Sequence, residues 1–133
     1  IFAEACARRG VRLQLLLPSQ EPEFIESSIN PSSDGATWRK RFIALNEGLK
    51  PPQAEPPRFM PTELGPPPTS SSPFECCNLW LLYTALSHRP EKVRFVCLWD
   101  GGGSGRPGGT RHMVNEVKRR TSNVNWIDTR ALG

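Results

Sequence analysis

Residues 92–120 read KVRFVCLWDGGGSGRPGGTRHMVNEVKRR, and the fold class follows from how this stretch is parsed. From Lys92 to Trp99 the residues are nearly all apolar, β-branched or aromatic, the pattern of a central parallel strand buried on both faces. Residues 107–120 return at helical spacing, with Met113, Val114 and Val117 as the inner stripe. Between strand and helix lie six glycines within 101–109. Residues 124–127 (VNWI) then form a second short strand. Strand, loop, helix and strand in this order make a β-α-β unit.

Upstream, residues 1–9 read as the end of a helix closed by Gly10, and residues 11–17 (VRLQLLL) as a strand stopped by Pro18. Pro22 suits a first helical position, with Ile25 and Ile29 behind it. Trp38, Phe42, Leu45 and Leu49 recur at helical spacing after the breaker at residues 30–35. Residues 50–73 are rich in proline and serine, and predict an irregular surface insert that Phe59, Met60 and Leu64 pin to the domain. Residues 73–87 resume helix, with Phe74, Cys77, Leu81 and Ala85 on one face and Trp80, Leu82 and Leu86 widening it. A helix this apolar is expected to pack against a sheet.

The expected fold is therefore α/β: one domain over residues 1–133, with a three-layer Rossmann-like parallel sheet that lacks its first strand. Residues 11–17, 93–99 and 124–127 are its neighbouring parallel strands. The chain opens at Ile1 as though already inside a helix, so a longer parent protein is expected.

The 133 residues carry a net charge of +4, with Lys and Arg scattered apart from Lys118-Arg119-Arg120. Cations in a last helical turn are what the helix dipole favours, so no nucleic-acid partner is expected. No apolar stretch approaches the ~20 residues of a membrane span, and no signal peptide is evident. Cys6, Cys76, Cys77 and Cys97 form no C-x-x-C pair, and His88 and His112 lie far from them. Buried free thiols in a reducing cytoplasm are expected, with neither metal nor cofactor.

The loop at 100–110 carries the chemistry. In open parallel sheets ligands sit beyond the carboxyl ends of strands. Glycines let a backbone approach a ligand closely, and the N–H groups opening a helix favour an anion. Asp100 suits ribose hydroxyls or a base amine, Arg106 supplies charge, and Thr110 a hydroxyl. Gly101, Gly102, Gly103, Gly105, Gly108 and Gly109 form the cradle. The motif matches neither a Walker loop nor a dinucleotide fingerprint, and a plain connector is the competing reading. Asp128 and Thr129 join the same edge of the sheet if the strands are parallel.

The run of strand, Asp100-Gly101, Pro107-Gly108-Gly109-Thr110 and helix resembles the SLOG superfamily. It is also similar to the nucleoside deoxyribosyltransferases and the lysine-decarboxylase-like phosphoribohydrolases. The stretches FAEACARRGVRLQLLLP, TWRKRFIAL, NLWLLYTAL and WDGGGSGRPGGTRHM resemble an uncharacterised bacterial domain of this class, found in larger signalling proteins. The resemblance implies a cytoplasmic module that senses a nucleotide or nucleotide derivative, with other domains of the same polypeptide as partners. It also implies that the ligand-contacting elements map onto Asp100, Gly101, Pro107, Gly108, Gly109 and Thr110.

One departure is chemical. Both enzyme families carry a catalytic Glu three residues after the Thr, where this chain has Met113. Glu116 stands one turn further on, about 5 Å deeper along the helix, and a glycosidic nucleophile so displaced should not react. The expectation leans away from an enzyme. An N-glycosidase or deoxyribosyltransferase-like enzyme, and a degenerate Rossmann-like interaction module, remain the alternatives.

Elsewhere, His112 reads as a solvent-facing helical residue and Glu116 as an exposed partner of Arg120 at i,i+4. Trp80 and Tyr83 read as packing residues. Ser28 and Ser104 lack the context of a nucleophile elbow.

Overall fold

The computed structural model describes residues 1–52, 54–103, 105–121 and 123–132. The chain divides into two compact units, Ile1–Pro66 and Pro67–Gly133. Both are mixed α/β, and each contains one parallel pair of strands.

The first unit opens with α1 (Phe2–Arg8). Gly10 ends it at φ +65°, with its N–H on the Ala7 carbonyl and the Val11 N–H on that of Cys6. This is the glycine-closed helix end that the sequence predicts. Strand β1 (Leu16–Leu17) leads into α2 (Glu21–Phe24), which continues as a wider turn over Ile25–Ile29. Helix α3 (Gly35–Gly48) follows, and Phe24 and Phe42 meet with ring centroids 5.5 Å apart.

The partner of β1 comes from the segment read as an insert. Strand β2 (Arg58–Phe59) pairs with β1 in parallel, Leu16 opposite Arg58 and Leu17 opposite Phe59. A parallel bridge joins Leu13 to Ala54. Pro56 and Pro57 fall between the two contacts and have no N–H to donate, which interrupts the ladder and shortens the strand expected over 11–17. The short α4 (Met60–Leu64) follows.

Ala54 and Met60 are among the most buried residues of the chain. The expectation of a surface excursion is thereby corrected, although the segment contains no long regular element. Of the three residues expected to pin the segment, Met60 is buried while Leu64 is 60% exposed, and Ala54, which the sequence did not single out, is buried as well.

Arg41 Nε donates to Glu4 Oε1 at 2.8 Å while its guanidinium lies over the Trp38 ring. The Arg41 hydrogen bonds hold the Glu4 carboxyl at about 2 instead of 4.5. A carboxyl depressed on folding stabilises above its unfolded pKa, and that stability is lost as pH falls through the folded one. Urea unfolding should therefore show a loss between about pH 4.5 and pH 2 that Glu4→Gln removes. An unchanged acid limb in Glu4→Gln would mean that this pair is not formed in solution.

The second unit contains α5 (Pro73–His88), β3 (Phe95–Trp99), α6 (Thr110–Arg120) and β4 (Val124–Asp128). Strands β3 and β4 are parallel, Phe95 opposite Val124 through Trp99 opposite Asp128, so the predicted β-α-β unit is present. Its core is Leu82, Met113 and Val117, with Leu86, Phe95 and Val124 packed around it. The inner stripe of α6 is the predicted one.

Two expectations need correction here. Val96 and Leu98 are 39% and 53% exposed, so β3 is buried on one face only. On α5 the buried residues are Cys77 and Leu82, whereas Phe74 and Leu81 of the expected face are largely exposed. A helix apolar almost all round carries no periodic signal of which stripe turns inward.

None of the four cysteines is in a disulfide, and Cys77 and Cys97 are buried. Burial, with Cys76 beside it, pushes the Cys77 thiol up to about 11, which leaves it a poor nucleophile. No helix among the described residues is long and apolar enough to cross a membrane.

Candidate functional site

The loop after β3 is built by local rules. Asp100 accepts the Gly102 N–H on Oδ1 at 2.8 Å, the side-chain-to-backbone turn that aspartate favours. The Gly109 N–H bonds to the Arg106 carbonyl at 3.0 Å, closing a turn with Pro107 second and Gly108 third at φ +85°. Proline at the second position and a positive-φ glycine at the third are what such a turn needs. Gly109 then caps α6 without a side chain, so the N–H groups of Thr110, Arg111 and His112 precede the first intrahelical bond, from Met113 to the Gly109 carbonyl.

These turns enclose an open cavity of about 400 Å³ at the carboxyl end of β3. Trp99, Asp100, Gly102, Gly103, Gly105, Arg106, Gly109, Thr110 and Arg111 line it. Seven of the ten sequence-predicted ligand residues are thus brought together. Ser104 lies outside the described residues.

The other three face elsewhere. A Cβ on Gly101 would meet the Trp126 ring at 3.3 Å and Arg130 Nη2 at 3.7 Å. A Cβ on Gly108 would meet the Glu75 backbone nitrogen at 2.9 Å, and Asn78 Nδ2 donates to the Gly108 carbonyl at 3.0 Å. Gly108 therefore fits the loop against the start of α5. Asp128 shares the sheet edge of Asp100, as the parallel register requires, but it is engaged by Arg130 at 2.6 Å. The Arg130 hydrogen bonds hold its carboxyl below the usual range.

Sequence reasoning missed two lining residues. Trp99 ends β3, stacks at a tilt on Trp126 with centroids 5.2 Å apart and donates its Nε1–H to the Gly102 carbonyl at 2.8 Å. Arg111 donates to the Gly101 carbonyl at 2.9 Å and lies 5.8 Å from the Trp99 centroid. Arg111 follows directly on Thr110, the first residue of α6, a helix start that the sequence had set at Pro107, whereas Trp99 reads as one more strand aromatic.

The candidate acid and base groups behave differently from expectation. Glu116 is buried, not exposed, and Arg120 grips it at 2.7 Å and Arg119 at 2.5 Å. The predicted i,i+4 pair is present, and its Arg120 hydrogen bond is the main cause that lowers the Glu116 pKa. His112 is partly buried rather than solvent-facing, with Nε2 3.9 Å from Glu75 Oε1. Met113 lies in the core. Tyr83 is exposed, and its hydroxyl accepts from Arg120 at 2.8 Å.

Comparison with protein-family models, with curated proteins and with solved structures finds no match to this chain.

Proposed function

We propose that the loop at 100–110 binds a phosphorylated nucleoside or a close derivative, and does so without cleaving it. The observation that carries this reading is the cavity of about 400 Å³ at the end of a parallel strand, where uncapped helix N–H groups and two arginines gather around a glycine backbone. Small-ligand sites occupy ~300–1,000 Å³, and strand ends followed by helix N-termini are where open α/β sheets take up anions. The β-α-β arrangement of each parallel pair supports a Rossmann-like reading of the wider fold.

Binding without cleavage is supported by the carboxylates. Met113 belongs to the core, and Glu116 is held by two guanidinium groups, so neither offers a nucleophile to the cavity. Asp100 is the carboxylate at hand, with one oxygen already accepting the Gly102 N–H. Its place at the strand end suits a ribose hydroxyl.

Titration of the chain with nucleoside mono- and triphosphates should show saturable thermal stabilisation. Arg106→Ala should weaken it about tenfold or more, the usual cost of losing a hydrogen bond to a charged group. No stabilisation by any nucleotide at millimolar concentration would overturn the reading. Release of free base that vanishes in Glu116→Gln would replace it with an N-glycosidase.

A further inference from the structure

The first unit holds a cavity that the proposed nucleotide site does not use. Helix α3 carries the apolar stripe Trp38, Phe42 and Leu45, yet none of its fourteen residues is buried. Instead the stripe, with Phe24 and Ile29, lines an open cavity of about 370 Å³. Its walls are held by contacts among themselves. Phe24 packs on Phe42 with centroids 5.5 Å apart, and the Arg41 guanidinium lies 4.4 Å from the centre of the Trp38 ring. Ile29 ends the wider turn, which the Asn30 N–H closes on the Ile25 carbonyl at 2.9 Å. Turns of this width recur at functional sites.

Each charged group lining the cavity already has a partner. Arg41 donates to Glu4 through Nε at 2.8 Å and through Nη2, and the Ile1 ammonium lies 3.3 Å from the same carboxylate. Ser32 Oγ donates to the Ile29 carbonyl at 2.7 Å. What remains on offer is apolar, largely aromatic surface, where a charged ligand would lose hydration without gaining an unpaired partner. Size decides against a protein partner. Standard interfaces bury ~800 Å² on each side, more than a cavity of this volume presents, whereas small-molecule sites begin at about 300 Å³.

We propose that this cavity is a second binding site, taking an uncharged aromatic molecule. Release of water from the apolar walls drives the binding, and the rings of Phe24, Trp38 and Phe42 favour a flat ring system. The site lies wholly within Ile1–Pro66 and stands independently of the nucleotide reading.

The test uses two dyes that share one ring system, neutral N-phenylnaphthylamine and anionic anilinonaphthalene sulfonate. Each is titrated by fluorescence into the whole chain, in wild type, Ser28→Phe, Trp38→Ala and Leu98→Ser. Ser28 lines the cavity, so phenylalanine there fills it, and Trp38→Ala removes an aromatic wall without adding bulk. Leu98 is 53% exposed on β3, part of the other apolar surface that a dye could find. Wild type should bind the neutral dye saturably and about tenfold or more tighter than the anionic one. Ser28→Phe and Trp38→Ala should each weaken it about tenfold or more, and Leu98→Ser should leave it unchanged. A tenfold loss needs only about 55 Å² of apolar contact to go, and an aromatic side chain covers more than that.

Circular dichroism identifies a variant that fails to fold, and the other then decides. Undiminished binding in either folded variant, a loss in Leu98→Ser, or uptake that never saturates would overturn the site. An anionic dye that binds as tightly as the neutral one would overturn the uncharged ligand class.

Discussion

Replacing Gly108 with valine is expected to lower the stability of the second unit by about 3 kcal/mol or more, from backbone strain at positive φ and overpacking together. The residue sits at φ +85°, where a β-branched side chain is strained whatever the space. A Cβ there would also meet the Glu75 nitrogen at 2.9 Å and the Phe74 Cβ at 3.3 Å. The obstacle is mainly helix backbone, which cannot swing aside as the end of a long side chain can.

Gly103 provides the control. Its φ of +94° is comparable, but a Cβ there meets nothing within 4 Å. Gly103→Ala should cost only the strain, about 1 kcal/mol. Urea unfolding of the two variants separates the cases. If Gly108→Val unfolds like Gly103→Ala, then Gly108 does not fit against α5.

Truncating Met60 to alanine should destabilise the first unit by about 2–5 kcal/mol, the range for emptying a buried methionine position. Met60 is 1% exposed and directly follows the strand that pairs with β1, so a cavity there lies beside the parallel ladder. Leu64, four residues on and 60% exposed, should tolerate the same change within about 0.5 kcal/mol. The pair of variants tests whether the proline-rich segment is part of the core. Equal, small effects at both positions would return it to the surface.

Much of the second unit was legible because its signals are local. Met113, Val114 and Val117 mark the inner face of α6 by spacing alone, although α6 begins at Thr110 and not at Pro107 as expected, because Pro107 and Gly108 are taken up in a turn. The cradle at 100–110 was found for the same reason, since glycine density and a helix start are written in consecutive residues. Arg111 and Trp99 were missed because their part in the cavity depends on where a long side chain folds back.

By itself, then, the sequence determined the mixed α/β class, the positions of most helices, the parallel β3–α6–β4 unit and the location of the glycine cradle. All of these follow from periodicity and backbone preference, which act over a few residues. Only the tertiary structure decided that Arg58 and Phe59 pair with β1, that Gly108 abuts Glu75, and that Glu116 is buried. Each of those depends on partners or burial that local spacing does not encode, and their energies exist only once the chain has brought them into contact.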